Sequence, residues 1–260
     1  MKPIMQVFIA LALSAWQVGA CMAASPVAAP QAATSDLSVQ ATTRILGEME
    51  YLRGFKGTGF NFSAEVVTVE NGAMSEQHQL DVKISDKGYA LIEVLGPKNQ
   101  RGRRTLMRDR DLWLYLPSSA NVIRIAPLQR VFGSASIADV LNVSYLNGYT
   151  VQSSRKSADG KSMQLSLKAK DAGATYARID LDYDLASDRP VESRHYTASE
   201  RLLKTIQYKA FRDYAGTAKV EKIVIIDALR KSSAVWMRMG EYAKASYPDS
   251  MFTKTALSRK

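Results

Sequence analysis

Few residues of this 260-residue chain could carry chemistry, and their spacing forms no catalytic pattern. There are two histidines, His78 and His195, and a single cysteine, Cys21. A zinc-type centre needs imidazoles, thiolates or carboxylates at ligand spacing. Neither histidine stands in an HExxH pair or beside a cysteine, so both read as strand or turn residues. The chain has no GxSxG elbow, no Walker-type loop and no GxGxxG; Gly57-Thr58-Gly59 is a fragment without the third glycine. Asp180, Asp182 and Asp184 recur along one strand face, where a calcium ion or an acid pair would need its oxygens. The same alternation is what a solvated sheet face produces. Arg101, Arg103, Arg104, Arg108 and Arg110 form a basic cluster. Their guanidinium forks could meet phosphate headgroups, or they could keep a sheet edge wet and unpaired. The residues make no positive case for an enzyme, and no cofactor or metal is expected.

The elements that would position these residues are strands. Gly102–Ile125 reads GRRTLMRDRDLWLYLPSSANVIRI: three apolar runs broken by Arg108-Asp109-Arg110-Asp111 and by Pro117-Ser118-Ser119-Ala120-Asn121. Such runs, rich in Leu, Val, Ile, Trp and Tyr, are antiparallel strand signals. Leu112-Trp113-Leu114-Tyr115-Leu116 is apolar on both sides of the pleat, as a strand covered on both faces must be. One face is expected to meet a helix or core and the other a lipid-like ligand; the ordinary alternative is core on both.

Ser35–Arg53 predicts a helix, with Leu37, Ala41, Ile45, Met49 and Leu52 on one face and Ser35 or Asp36 as its cap. Gly57–Glu70 alternates, Asn71-Gly72 is a hairpin turn, and strands follow at Gln77–Ser85 and Tyr89–Leu95. Ala135–Leu141 predicts a short helix, with Ser136 and Asp139 spaced as a capping box. Strands are then expected around Met163–Leu167, Ala177–Tyr183, Val191–Thr197, Leu203–Phe211, Val220–Asp227 and Ala234–Ala243, with a C-terminal helix at Ser250–Leu257. About ten strands flanked by two helices must curl, close or split.

The N-terminus reads as a targeting segment. Lys2 is followed by the apolar run Ile4–Leu13 and by Gly19, Ala20, Ala23 and Ala24, which fits a secretory signal peptide. Val18-Gly19-Ala20-Cys21 also resembles a bacterial lipobox, in which Cys21 would be acylated; cleavage after Ala23 or Ala24 would remove it. Either fate leaves no disulfide and no free thiol. The domains are therefore a signal peptide over residues 1–23, an Ala- and Pro-rich tether over 24–35, and one domain over 36–260. The chain has 35 Lys and Arg against 25 Asp and Glu. In an exported protein that excess suits anionic lipid headgroups or an acidic protein surface, and not nucleic acid.

On LMRDRDLWLYLP (Leu106–Pro117), IRIAP (Ile123–Pro127), GSASIADVL (Gly133–Leu141) and DSMFTKTAL (Asp249–Leu257), the chain resembles the outer-membrane lipoprotein-sorting family. This is the LolA/LolB-like group, in its branch outside the core Lol pathway, and the likeness runs from about Asp36 to Leu257. The resemblance implies an incomplete, strongly curved antiparallel β-barrel lidded by helices. It implies a non-catalytic periplasmic carrier that shields lipid or lipoprotein acyl chains in a hydrophobic cavity on the way to the outer-membrane surface. An inner-membrane exporter of the resistance-nodulation-division (RND) type is an implied partner. The family's Arg-Pro pair on an early strand, which helps gate the lid, has no counterpart at Lys87-Gly88-Tyr89. Suitable cavity liners are Phe60, Phe62, Met107, Trp113, Tyr115 and Ile125, since methionine adapts its shape and aromatic rings give area at low entropic cost. The primary expectation is a soluble periplasmic protein of a Gram-negative envelope; a lipoprotein anchored through Cys21 is the alternative. The second functional reading is a tethered interaction or sensing module with the same fold and a filled core.

Overall fold

The computed structural model describes residues 39–133, 135–141, 144–214, 216–230 and 232–259. The signal peptide, the tether, Cys21 and the expected helix start at Ser35–Asp36 lie outside the described residues.

Helix α1 (Val39–Tyr51) buries Thr42, Ile45, Leu46 and Met49; Ile45 and Met49 belong to the expected stripe, whereas Thr42 and Leu46 do not and Ala41 is only half-buried. A meander follows: β1 (Phe60–Glu70), β2 (Ala73–Ile84), β3 (Ala90–Gly96), β4 (Arg104–Arg108), β5 (Asp111–Leu116) and β6 (Asn121–Ile125). At the first hairpin Asn71 and Gly72 both take positive φ, the conformation that a tight strand-to-strand turn requires. The chain then crosses the sheet through a two-strand ribbon, β7 (Arg130–Phe132) and β8 (Ala135–Ser136), and two short helices, α2 (Ile137–Leu141) and α3 (Tyr145–Gly148).

A second meander runs through β9 (Tyr149–Lys156), β10 (Ser162–Ala169), β11 (Arg178–Asp184), β12 (Arg189–Tyr196), β13 (Leu202–Tyr214), β14 (Thr217–Asp227) and β15 (Ser233–Lys244). It ends in a 3-10 turn at Asp249–Met251 and helix α4 (Lys254–Leu257). The strand order is β6-β5-β4-β3-β2-β1-β15-β14-β13-β12-β11-β10-β9, one antiparallel sheet of 13 strands among the described residues, left open between β6 and β9. It is large and curved and does not close into a barrel, as expected. Register shifts at Phe62/Ala64, Tyr208/Ala210 and elsewhere bend its long strands.

Among the described residues the main sheet holds 13 strands, one more than the twelve runs named from the sequence, which the round figure of ten understates. β9 escapes notice because it is an edge strand with only Tyr149 and Ser154 buried, so YTVQSSRK shows no apolar period. The C-terminal helix is also shorter than expected, its first turn being 3-10.

The inner face of the sheet carries the core. Phe60, Phe62, Ala64 and Val66 of β1 pack with Leu80, Val82 and Ile84 of β2 and with Ile45, Leu46, Met49 and Leu52 from the α1 region. The β7–α2 segment sits in the same concavity as a plug, with Phe132, Ala135, Ile137 and Val140 buried. Gly133, at φ +58°, lets the plug touch β1: a Cβ there would lie 1.9 Å from Thr68 Oγ1. Ser136 N donates to Asp139 Oδ2 at 2.8 Å, which is the back-bond of the expected capping box.

The outer face has its own small core. Leu106, Phe252 and Leu257 are buried together, with Tyr89, Leu91, Trp113, Tyr115 and Tyr247 against them. Two of the clustered arginines clip this C-terminal segment down. Arg104 donates to the carbonyls of Leu257 and Arg259 at 3.2 and 2.6 Å, and Arg108 donates to that of Phe252 at 3.3 Å. Arg101 donates to Leu95 O, Arg103 to Gln100 Oε1 and Arg110 to Asp171. Those contacts give the cluster a structural use. The aspartates of β11 form an ionic ladder on the outer face, Asp180 with Arg178 and Asp182 with Arg194, while Asp184 accepts from Ala186 N and Ser187 Oγ. Among the described residues no group of three or more His, Cys, Asp or Glu is placed to hold a metal ion.

Candidate ligand-binding hollow

Two hollows lie side by side between the end of α1, the plug and the inner face of the sheet. The first, about 420 Å³, is walled by Arg53, Gly54, Phe55, Phe60, Ile84, Tyr89, Met107 and Leu141, with Asp86, Lys87 and Asp109 among its turn residues. The second, about 340 Å³, is walled by Met107, Leu112, Pro127, Ile137, Ala138, Leu141 and Tyr149. Met107, Asp109, Leu141, Ser144 and Asn147 belong to both walls, so the two spaces adjoin along these residues. Each volume falls within the range of a small-molecule site.

The local fold explains the shape. Gly54 has no side chain where the Phe60 ring comes closest: a Cβ there would be 2.6 Å from it. Phe55 meets Phe60 edge-on at 5.8 Å between ring centroids. Glu50, in the last turn of α1, accepts from the amides of Tyr145 and Leu146 at 2.6 and 3.4 Å and from Ser144 Oγ at 3.1 Å, which fixes α3 beside the hollow. Arg44 pairs with Asp188 at 2.7 Å, and Tyr183 Oη donates to the same carboxylate, so α1 is also tied to the turn between β11 and β12.

The six expected liners are divided by this geometry. Phe60 lines the first hollow and Met107 lines both. Phe62 lies behind Phe60, stacked on Tyr242 at 5.1 Å, and Ile125 is part of the same core. Trp113 and Tyr115 are on the opposite face, against the C-terminal segment. The β5 run is thus covered on both sides as expected, but what meets its aromatic side is the chain's own C-terminus. The strand parity that sends Trp113 out sends Leu112 in, so Leu112 was legible as a liner once the inner face was known. Arg53, Phe55 and Leu141 carry no sequence signal for this place, since they lie just after a helix or at the end of one.

The plug is anchored by a buried polar cluster. Lys204 Nζ lies 2.6 Å from Asp139 Oδ2, and the Asp139 side chain has no solvent exposure. Ser136 Oγ donates to the same oxygen at 2.8 Å and Tyr176 Oη donates to Oδ1 at 3.1 Å. Burial works against the Asp139 charge, but the Lys204 ammonium and the Ser136 donors outweigh it and hold its pKa below the usual range. His195 packs edge-on against Tyr176 at 4.4 Å, and its Nε2 shares a hydrogen bond with Ser193 Oγ at 2.9 Å. Burial pushes His195 down to about 3 and, with the Asp139 charge, pushes the Tyr176 hydroxyl well up. Both histidines are buried strand residues, as their spacing suggested.

The model of a family described as uncharacterized-protein-like matches residues 86–259, about two thirds of the chain, and the chain belongs to that family. No curated protein matches the sequence. Among solved structures, a LolA superfamily protein from Nitrosomonas europaea superposes with a TM-score of 0.72 at 24% identity, covering 82% of this chain and 97% of its own. This chain has the LolA-like fold. Two further comparisons agree in extent. A DUF1329 family protein from Desulfovibrio piger gives a TM-score of 0.70 at 18% identity over 84% of this chain and 98% of its own. A domain from Vibrio parahaemolyticus described as outer membrane lipoprotein-sorting gives 0.67 at 17% over 84% and 98%. Among the described residues, no helix is long and apolar enough to cross a membrane.

Proposed function

We propose that this LolA-like chain is a non-catalytic periplasmic carrier that takes up the apolar chain of a lipid or lipoprotein and passes it toward the outer membrane. The observation that carries this reading is the pair of adjoining hollows between sheet, α1 and plug, with Met107 and Leu141 on both walls. Burying a hydrocarbon chain is worth about 0.8 kcal/mol per methylene, so the apolar wall that Met107, Leu112, Ile137 and Leu141 give the second hollow favours holding one without further chemistry. A longer chain is accommodated when the plug shifts from the concavity. The RND-type exporter is the partner that the family resemblance implies for loading. A second reading, the interaction or sensing module, draws on a different observation: α1 and the plug already fill most of the inner face.

The two readings separate on titration of the delipidated full chain with a fluorescent acyl probe. Carriage predicts saturable uptake, and Met107→Asp is expected to weaken it by at least about tenfold, since it puts a charge on the apolar surface that both walls share and that the hydrocarbon chain must pack against. Trp113→Ala is expected to cost about 2 kcal/mol of stability and leave uptake unchanged, because its ring packs on the far face. Absence of saturable uptake by the wild type would leave the module as the standing reading.

A further inference from the structure

The wall of the first hollow carries a buried cation, Arg53, that neither packing nor the carrier reading requires. Arg53 is only 6% exposed, yet no carboxylate among the described residues lies within ion-pair distance of it. Its guanidinium is held by neutral acceptors: Nη1 donates to Asp139 O at 2.8 Å, and Nη2 to Val140 O and, at 3.7 Å, to Met237 Sδ. Its Nε hydrogen has no acceptor.

Two more cations gather on the neighbouring ring. Lys219 Nζ is 4.6 Å and Lys244 Nζ 5.4 Å from the centroid of Phe55, which lines the same hollow. Lys219 is buried and donates to Tyr51 O at 2.6 Å, and it has no carboxylate partner among the described residues; Glu48 acts on it only at longer range. Burial lowers its pKa to about 8, with Lys244 adding to the shift, as an uncompensated ammonium must show. The acids near the hollow do not answer this charge. Glu50 is engaged by α3, and Asp86 and Asp109 are exposed turn residues. A buried cation without a counter-ion costs several kcal/mol, and of these three Arg53 and Lys219 are buried, while Lys244 is exposed.

We propose that the hollow receives an amphiphile whose anionic head, a carboxylate or a phosphate, seats against Arg53 while its apolar chain runs past Met107 and Leu141 into the second hollow. This rests on the carrier reading and narrows it: the cargo is charged at the end of its chain. The head takes the unused Nε donor and competes with the α2 carbonyls for the Nη donors, replacing neutral acceptors by a charge-assisted fork. Since those carbonyls belong to the plug, seating of the head loosens one of the plug's ties.

The test uses the delipidated full chain and four probes: dodecanoate, dodecyl phosphate, methyl dodecanoate and inorganic phosphate. Either anionic amphiphile is expected to bind at least about tenfold tighter than the methyl ester, and the tighter of the two names the head. Inorganic phosphate is expected not to displace them. Arg53→Gln is expected to erase the preference for the anionic probes while leaving the ester's affinity in place. Equal affinity of wild type for ester and acids overturns the head site and leaves the carrier standing. Binding of inorganic phosphate as tightly as dodecyl phosphate also overturns it, since the chain would then contribute nothing. Failure of all three chain-bearing probes to bind removes the carrier and this inference together.

Discussion

Replacing Lys204 by methionine is expected to destabilise the protein by about 3–5 kcal/mol at neutral pH, measured as a shift in the urea midpoint. The substitution keeps the volume of the side chain and removes the cation paired with the Asp139 carboxylate, which is entirely buried. Ser136 and Tyr176 would still donate to it, but hydrogen bonds alone do not repay the desolvation of a full charge. The pH dependence reverses as well. In the wild type Asp139 titrates below its ordinary range, so its contribution is present above about pH 4 and is lost as pH falls through the folded value. In Lys204→Met its folded pKa rises above the unfolded one, so that variant regains stability on mild acidification. The double variant Asp139→Leu with Lys204→Met is expected to recover most of the loss, since two apolar groups replace the pair. A Lys204→Met protein within about 1 kcal/mol of wild type would mean that Asp139 is hydrated from the hollow and anchors nothing.

Mild acid should expose the second weakness. His195 must stay neutral where it is buried, with a folded pKa of about 3 against an ordinary 6.5. A histidine depressed in this way leaves the unfolded chain holding the extra proton between those two values. Stability therefore falls as pH drops from 6.5 toward 3, by about 1.4 kcal/mol per pH unit in the steep part and on the order of 4 kcal/mol in all. Asp139 raises the His195 pKa and Lys204 lowers it, and the Tyr176 ring lies against it, so the imidazole belongs to the same anchor as the plug. His195→Phe keeps the edge-on contact and cannot titrate. Its urea midpoint should change much less than that of wild type between pH 7 and 4. Parallel acid limbs in the two proteins would assign the loss to other groups.

What was legible from the sequence and what was not divides along burial of charge. Apolar alternation in β1, β10 and β11 predicts one-sided strands, and these are the strands whose outer residues form hydrogen bonds and ion pairs in water. The open curved sheet follows from too many strands to lie flat. β5 shows the limit: Leu112-Trp113-Leu114 is apolar at every position, so periodicity could not say which parity faces inward, and aromatic size pointed to the wrong side. The paired and unpaired charges of the interior left even less trace. Arg53 and Lys219 look like any surface cation until the chain after α1 and strand β14 bury them, Lys219 against the Phe55 ring. Lys204 and Asp139 are far apart in the chain and meet only because the plug crosses the sheet to reach β13.

The strand order has a consequence for how the molecule is assembled. β1 and β15 are partners at the middle of the sheet, Phe60 opposite Lys244 and Glu70 opposite Ser233. Every other neighbouring pair in it joins strands consecutive in the chain. Each half can therefore zip up from local hairpins, while the central seam waits for the last strand to be made and carries nearly the whole entropic cost of closing the ring of chain. A ribosome-released product cut short before β15 would keep two hairpin stacks with raw edges and no shared concavity, and those edges are where such fragments should stick to one another.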